Sequence, residues 1–297
     1  MGNRFEISVV ADNEMWANEV IDAAINEISR IERLLTTFNE ESQTNLINRY
    51  AGLKPVRVDK EVYNIIERSI KISALTQGAF DISYGSIDKK LWNFDTTMTS
   101  LPDPHTAKQL VRQINYRNII LNSADNTVFL KEKGMRIGFG GIGKGYAAER
   151  AKMVMKNKGA ISGIVNASGD LTAWGNQPNG KQWTIGIADP NLRNHLISYL
   201  EITDMAVATS GNYEKYIVVD GKRYSHTIDP KTGYPVSGIK SVTIICPNAE
   251  IADAMATPVT VMGVKTGIDL VNQMKNIACI IIDDNDKVYT SRNIKIS

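Results

Sequence analysis

Cysteine and histidine are scarce in this chain, with two and three copies among 297 residues, which argues against a thiol- or imidazole-rich metal centre. Cys246 and Cys279 each sit in an apolar, strand-like run (SVTIIC and IACIIID) and match neither zinc-ligand spacing nor a CxxC pair. Buried thiols are expected, although facing strands would also bring the two together. A charge excess is missing too: 34 Lys and Arg stand against 32 Asp and Glu, a net +2 with no basic block of the kind that nucleic acid requires. No apolar run approaches the roughly 20 residues that cross a bilayer as a helix. The opening MGNRFEISVV passes directly into alternating strand residues, without a basic segment followed by an apolar one. Prolines are few, at nine, yet two of them fall five residues apart in one loop, at Pro230 and Pro235.

What is present suits a folded globular chain: 43% apolar and 22% charged residues, and length enough for one large domain or two smaller ones. Arg4 to Ala11 reads as a strand. Ala17, Val20, Ala24, Ile28, Ile31 and Leu35 recur at helical spacing, predicting a helix over 13–35 capped by Asp12 or Asn13. A second helix is expected over 60–76, with Asp59 as N-cap and Gly78 just past its end. The stretch 91–104 reads as loop and 106–114 as a short helix. Strands at 118–122 and 127–131 flank a Ser-Ala-Asp-Asn turn, predicting a hairpin. Further strands are expected at 161–167, 183–188, 197–202, 241–246 and 278–283, with a helix over 146–157. No repeat or linker stands out, so the fold class expected is α+β: a single mixed α/β domain over 1–297, with mostly antiparallel sheets flanked by helices.

Four segments have the composition of a site. The stretch TSGNYEKYIVVDGKRYSHTIDPKTGYPV (209–236) holds an Asp-Gly hairpin signal and then a loop stiffened twice, by Asp229-Pro230 and by Gly233-Tyr234-Pro235. Such a loop either presents His226, Thr227, Asp229 and Lys231 to a phosphate-bearing ligand or is a well-specified turn without chemistry. Gly140, Gly141, Gly143 and Gly145 lead into the helix at Tyr146. Helix N-termini favour phosphate, and Lys144 adds a full charge there, but the segment fits neither GxGxxG nor a Walker loop. In ADAMAT (252–257), Asp253 and Thr257 lie one helical turn apart on the same face. They are placed either to share a hard cation such as Mg²⁺, which takes oxygen ligands and keeps waters, or as an acid near a helix start with a threonine bonded back to a carbonyl. Pro258 removes an N–H that would bond Ala254 and is expected to bend this helix. Gly78-Ala79-Phe80-Asp81 reads as a helix C-cap or as a turn against a planar ring, and Phe38 as core or as ligand platform. Asn166-Ala-Ser-Gly-Asp170 reads as a strand-ending turn.

Taken in order, LLTTFNEESQTNLIN (34–48), GAFD, GGIGKGYA, NASGD, WTIGIADP, HTIDPKTGYP and ADAMAT resemble the ApbE-type FAD:protein FMN transferases over essentially the whole chain. The resemblance implies cleavage of the FAD pyrophosphate with Mg²⁺ and transfer of FMN to a threonine hydroxyl of a target protein, with release of AMP. It implies a flavin pocket at Met1, Phe38 and the Ala79-Phe80-Asp81 turn, with Gly138, Lys144 and Thr227 lining the FAD site. The metal ligands it implies are Asp253, Thr257 and the backbone carbonyl of Gly141, which favours the cation reading of ADAMAT. His226 or Asp229 would orient or deprotonate the acceptor hydroxyl.

The chain departs from the pattern at three positions. Gly138 stands where an acid is common, Phe38 where tyrosine is usual, and Pro258 follows the metal-site threonine. The acceptor implied is a protein with a Ser/Thr-Gly-Ala-Thr motif, a membrane respiratory flavoprotein subunit. Met1-Gly2 matches an internal family position, so an exported enzyme at the periplasmic face of the cytoplasmic membrane is expected, with a cytoplasmic one as the alternative. The rival activities are a Mg²⁺-dependent FAD pyrophosphatase and a flavin-binding protein without turnover.

Overall fold

A computed structural model describes residues 4–87, 100–188, 196–211 and 216–294. The helices are α1 (Glu14–Leu35), α2 (Gln43–Arg49), α3 (Lys60–Leu75), α4 (Pro104–Leu110), α5 (Gly143–Asn157) and α6 (Ala249–Val271). The first strands are β1 (Phe5–Val9), β2 (Val56–Arg57), β3 (Ile119–Asn122), β4 (Thr127–Leu130), β5 (Gly163–Ala167), β6 (Asp170–Trp174) and β7 (Trp183–Ala188). There follow β8 (Leu196–Ile202), β9 (Met205–Gly211), β10 (Tyr216–Val219), β11 (Lys222–Ser225), β12 (Ile239–Cys246), β13 (Ala278–Asp283) and β14 (Val288–Thr290). The mixed, antiparallel α+β class expected from the sequence is what forms. The chain gathers into two compact units, one from 1–31, 142–213 and 239–297, the other from 32–141 and 214–238.

The first unit is built on a seven-stranded sheet in the order β1-β5-β6-β9-β12-β13-β14, antiparallel throughout. β12 is buried at all eight positions, including Lys240, Ser241 and Thr243, with the Lys240 ammonium paired to Asp286 at 2.6 Å. α5 packs on β5 and β6, and α6 on β9 and β12. On the apolar cluster formed by Leu171, Val207, Ile245 and Ile280 lie Ile187, Leu200 and Ile202 of the β7–β8 hairpin. β5 and β6 join through Ser168 (φ 52) and Gly169 (φ 97), a two-residue turn whose positive φ values match the twist of a hairpin. The segment NASGD is therefore a hairpin turn whose last residue starts a new strand. Cys279 faces Ile244 across the β12–β13 ladder, so both cysteines stay free and buried.

α1 takes the expected span, with Asn13 accepting the Trp16 N–H at 2.9 Å and Val20, Ala24, Ile28, Ile31 and Leu35 buried. α6 runs straight through Pro258. Its one residue with non-helical dihedrals is Gly263 (φ 81, ψ 171), so the bend expected at the proline falls five residues later, where only glycine accepts that backbone.

In the second unit, α3 ends as a Schellman turn: Gly78 N–H reaches Ser73 O at 2.7 Å and Gln77 N–H reaches Ala74 O at 3.1 Å. A three-stranded sheet in the order β2-β4-β3 contains the expected hairpin. α2, which the sequence reading passed over, is capped by Ser42 and holds Asn48 against the backbone of Ile137, donating at 3.0 Å and accepting at 2.7 Å. β10 and β11 turn at Asp220 (φ 51) and Gly221 (φ 74), as the Asp-Gly signal predicts. Among the described residues no helix is long and apolar enough to cross a membrane.

Candidate active site

α5 begins at Gly143 without a capping side chain of its own, because Ile142 occupies the N-cap position. The missing cap comes from α6. Asp253 accepts the Gly145 N–H at 2.9 Å and also takes the Lys144 N–H. Gly145 is what permits this approach: a Cβ there would overlap the Ala249 carbonyl oxygen and lie 2.7 Å from the Asp253 Cβ. The exchange is reciprocal, since Glu149 of α5 accepts the Ala249 N–H at the start of α6, 2.9 Å away. Of the glycines in this turn, Gly145 therefore serves close helix packing, while Gly140 has open space where a side chain would stand. At least two of the α5 N-terminal N–H groups that the sequence offered to phosphate are taken by Asp253.

Around that cap lies a small charged cluster. Lys144 Nζ is 2.5 Å from Asp170 Oδ2, while Asp170 Oδ1 accepts the Thr209 N–H at 3.2 Å. Asp253 and Asp170 are 5% and 2% exposed. Burial, then the Asp170 charge, pushes the Asp253 carboxyl up to about 7, and the protonated form donates to Asp170. Burial also raises Asp170 against the pull of Lys144. For Lys144, burial disfavours the charge, but Asp170 and then Asp253 outweigh it and hold the ammonium above its usual value. Thr257 is half-buried one turn beyond Asp253 on α6.

The second unit holds the other residues singled out. Ala79 and Phe80 are buried and folded over the end of α3, their N–H groups reaching Thr76 O (3.0 Å) and Thr76 Oγ1 (3.1 Å). Asp81 caps the short 3₁₀ turn after them: Oδ1 accepts from Ser83 N–H and Oγ, and Oδ2 from Tyr116 N–H at 2.7 Å. Burial raises its carboxyl. Phe38 is 92% exposed, which removes the core reading and leaves a large aromatic face in water. Gly138 donates to Ile82 O at 2.9 Å, and the half-buried Gly141 directly precedes the α5 N-cap. In the stiff loop, Asp229 accepts the Lys231 N–H (2.8 Å) and the Thr232 hydroxyl (3.0 Å), so its carboxylate holds its own turn. Ile228 pairs with Pro235, and Val236 N–H reaches Thr227 O at 2.9 Å. His226 is exposed and Thr227 half-buried. Met1 lies outside the described residues.

The ApbE family model matches residues 1–281. The chain belongs to the ApbE family. It is 31% identical over 293 residues to an FAD:protein FMN transferase of Klebsiella pneumoniae (strain 342), covering 98% of this chain and 89% of that protein. It is 29% identical to an FAD:protein FMN transferase of Treponema pallidum (strain Nichols), covering 92% and 81%. Among solved structures, the ApbE protein of Thermotoga maritima superposes with a TM-score of 0.87 at 31% identity, over 98% of this chain and 94% of that one. A flavin transferase ApbE from Vibrio cholerae gives 0.82 at 25% identity, over 98% and 94%.

Within this ApbE-family fold, Lys144 and Asp253 come together in the first unit, with Asp170 as a third charged member of the cluster. In the sequence, Asp170 reads as the end of a turn. The signal that marks it is the Ser-Gly pair: a two-residue hairpin fixes the inward direction of the residue that follows. Glu149 carried no such signal, because its partner is a backbone N–H 100 residues away. The donor chemistry suits a hard divalent cation. Two buried carboxylates meet one lysine, and in the metal-free state a shared proton supplies the positive charge the cluster lacks. Among the described residues no three His, Cys, Asp or Glu side chains gather as a metal cluster. A cation here would therefore rest on Asp253, the Thr257 hydroxyl, carbonyl oxygen, water and substrate phosphate, the mixed set that Mg²⁺ accepts.

Proposed function

We propose that this chain transfers FMN from FAD to a threonine hydroxyl of a target protein, with Asp253 and Thr257 as side-chain ligands of Mg²⁺. Membership of a family whose curated relatives are FAD:protein FMN transferases carries the reading. The buried Asp253–Asp170–Lys144 cluster supports its metal-dependent form.

In the step proposed, the threonine oxygen bonds to the FMN phosphorus as the P–O–P bridge breaks, AMP leaves, and the hydroxyl proton passes to a base. Mg²⁺, when bound, neutralises phosphate charge and acts as a Lewis acid toward the leaving group. Lys144 contributes a positive charge that its acidic neighbours keep permanently in place. Gly145 and the α5 backbone hold Asp253 in a single orientation, which is the positioning that phosphoryl transfer depends on. His226 is assigned the acceptor proton. Asp229 is assigned the positioning of the loop that carries His226, because its oxygens are committed to Lys231 and Thr232. The acceptor proposed is a protein bearing a Ser/Thr-Gly-Ala-Thr motif.

The deciding experiment incubates the protein with FAD, Mg²⁺ and a peptide carrying that motif, then measures the peptide mass. A gain matching FMN, abolished by EDTA and restored by Mg²⁺, is expected. Release of FMN and AMP without labelled peptide would make the protein a pyrophosphatase instead, and intact FAD would remove both activities.

A further inference from the structure

An open groove of about 480 Å³ in the second unit lies between the end of α3, α4 with the turn after it, and the Pro230–Lys231 corner of the stiff loop. Val111, Ile114 and Tyr116 give it an apolar lining, while Lys108, Arg112, Arg117 and Lys231 stand exposed around it, joined by His105. Arg117 lies over the Tyr116 ring at 4.7 Å. No ion pair among the described residues uses any of these four permanent cations. The one acid lining the groove, Asp81, has its oxygens turned to Ser83 and Tyr116. In a chain of net charge +2, this is a local concentration of positive charge, with Arg117 also engaged over the Tyr116 ring and toward the Asp81 charge.

We propose that this groove docks an acidic segment of the acceptor protein. The inference rests on the transferase reading above and adds how the acceptor is chosen. An extended polyanion fits better than FAD itself, whose two phosphates are assigned to Lys144 and the metal and would leave four further cations unused. The lining favours a peptide: an apolar floor receives side chains while a basic rim meets carboxylates, which sets partner choice and encounter rate more than bulk affinity. The position favours the acceptor. Lys231 and His226 belong to one loop, fixed by the Asp229 turn and by Gly233 (φ 76), whose Cα packs against the Ala107 carbonyl of α4. A chain whose acidic residues rest on Lys108 and Arg112 is thereby led along the loop that carries His226.

The test uses two synthetic acceptor peptides with the same Ser/Thr-Gly-Ala-Thr core, one flanked by Asp and Glu, the other by Gln and Ser. At low salt the wild-type enzyme should label the acidic peptide with a kcat/KM at least about tenfold higher, and added NaCl should shrink the difference. A Lys108→Glu/Arg112→Glu enzyme should lose the preference while its rate on the neutral peptide and its KM for FAD stay unchanged. Lys108→Gln/Arg112→Gln should lose part of it. Equal wild-type rates on the two peptides would overturn the proposal, as would a preference surviving charge reversal or a change in the KM for FAD alone. If neither peptide gains the mass of FMN, the transferase reading itself fails and the docking proposal goes with it.

Discussion

Asp253 carries two obligations that pull against each other. It caps α5 through the Gly145 N–H, and it sits buried beside a second carboxylate with one lysine between them. Asparagine keeps the capping oxygen and removes the charge. Asp253→Asn is therefore expected to fold, to melt higher than wild type at pH 8 without metal, and to lose FMN transfer by roughly a hundredfold or more. Thermal melts and the peptide-mass assay read the two effects separately; retained activity would place the metal elsewhere. His226→Ala should lower transfer about a hundredfold to ten-thousandfold, with the KM for FAD little changed, and an undiminished rate would remove His226 as base. At this scale the sequence was informative where chemistry is local. Asp253 and Lys144 stood out because a helix start and a glycine turn are visible in short windows. Asp170 and Glu149 did not, because each acquires its role from a partner on another element. Asp229 looked like a base from its type alone, and only the geometry shows its oxygens spent on Lys231 and Thr232.

α5 and α6 cap each other, Asp253 at one N-terminus and Glu149 at the other, and Gly145 sets how near they come. Gly145→Ala must push α6 away from α5 to make room for one methyl group. The expected result is a loss of about 1–3 kcal/mol in chemical denaturation, together with loss of transfer, because Asp253 moves with its helix. A second fastening ties α1 to α5. Glu27 meets Arg30 at 2.8 Å and Arg150 at 3.0 Å, and the Arg30 hydrogen bond, against burial and aided by Arg150, holds its carboxyl below the ordinary value. A depressed folded-state pKa stabilises above the unfolded value and is lost as pH falls through the folded one. Glu27→Gln should therefore cost about 1 kcal/mol at pH 7, kept small by the partly exposed arginines, and nothing at strongly acid pH. Equal losses at both pH values would contradict the charge argument. Helix periodicity made α1 and α3 readable in advance, and turn residues did the same for the β3–β4 and β10–β11 hairpins. α2, β6 and β9 were not: polar-rich α2 is held by Ile137, and the small or mixed residues of β6 and β9 show no clear alternation and owe their strand form to their ladder partners.

For the molecule as a whole, the buried acid cluster couples metal, proton and stability. Without metal, the Asp253 carboxyl sits near 7 against an ordinary 3.8, so the fold binds a proton that the unfolded chain releases. That contribution is complete below the unfolded value and disappears as pH rises through about 7. Mg²⁺ supplies the missing positive charge once the proton has gone, so its stabilising effect should be larger at pH 8 than at pH 5. Melting curves at the two pH values with Mg²⁺ or EDTA check this, and an equal shift at both would contradict it. The sheet has a different consequence, one that belongs to synthesis. β1 pairs with β5, Phe5 opposite Ala167, while β12, buried along its whole length, joins β9 to β13. At ribosomal rates of about 5–20 residues per second, the first strand waits on the order of ten seconds or more for its partner. The edge of β9 then stays open until residue 246 has followed, so every nascent copy passes through a period with an unpaired, apolar strand edge that chaperones would have to shield.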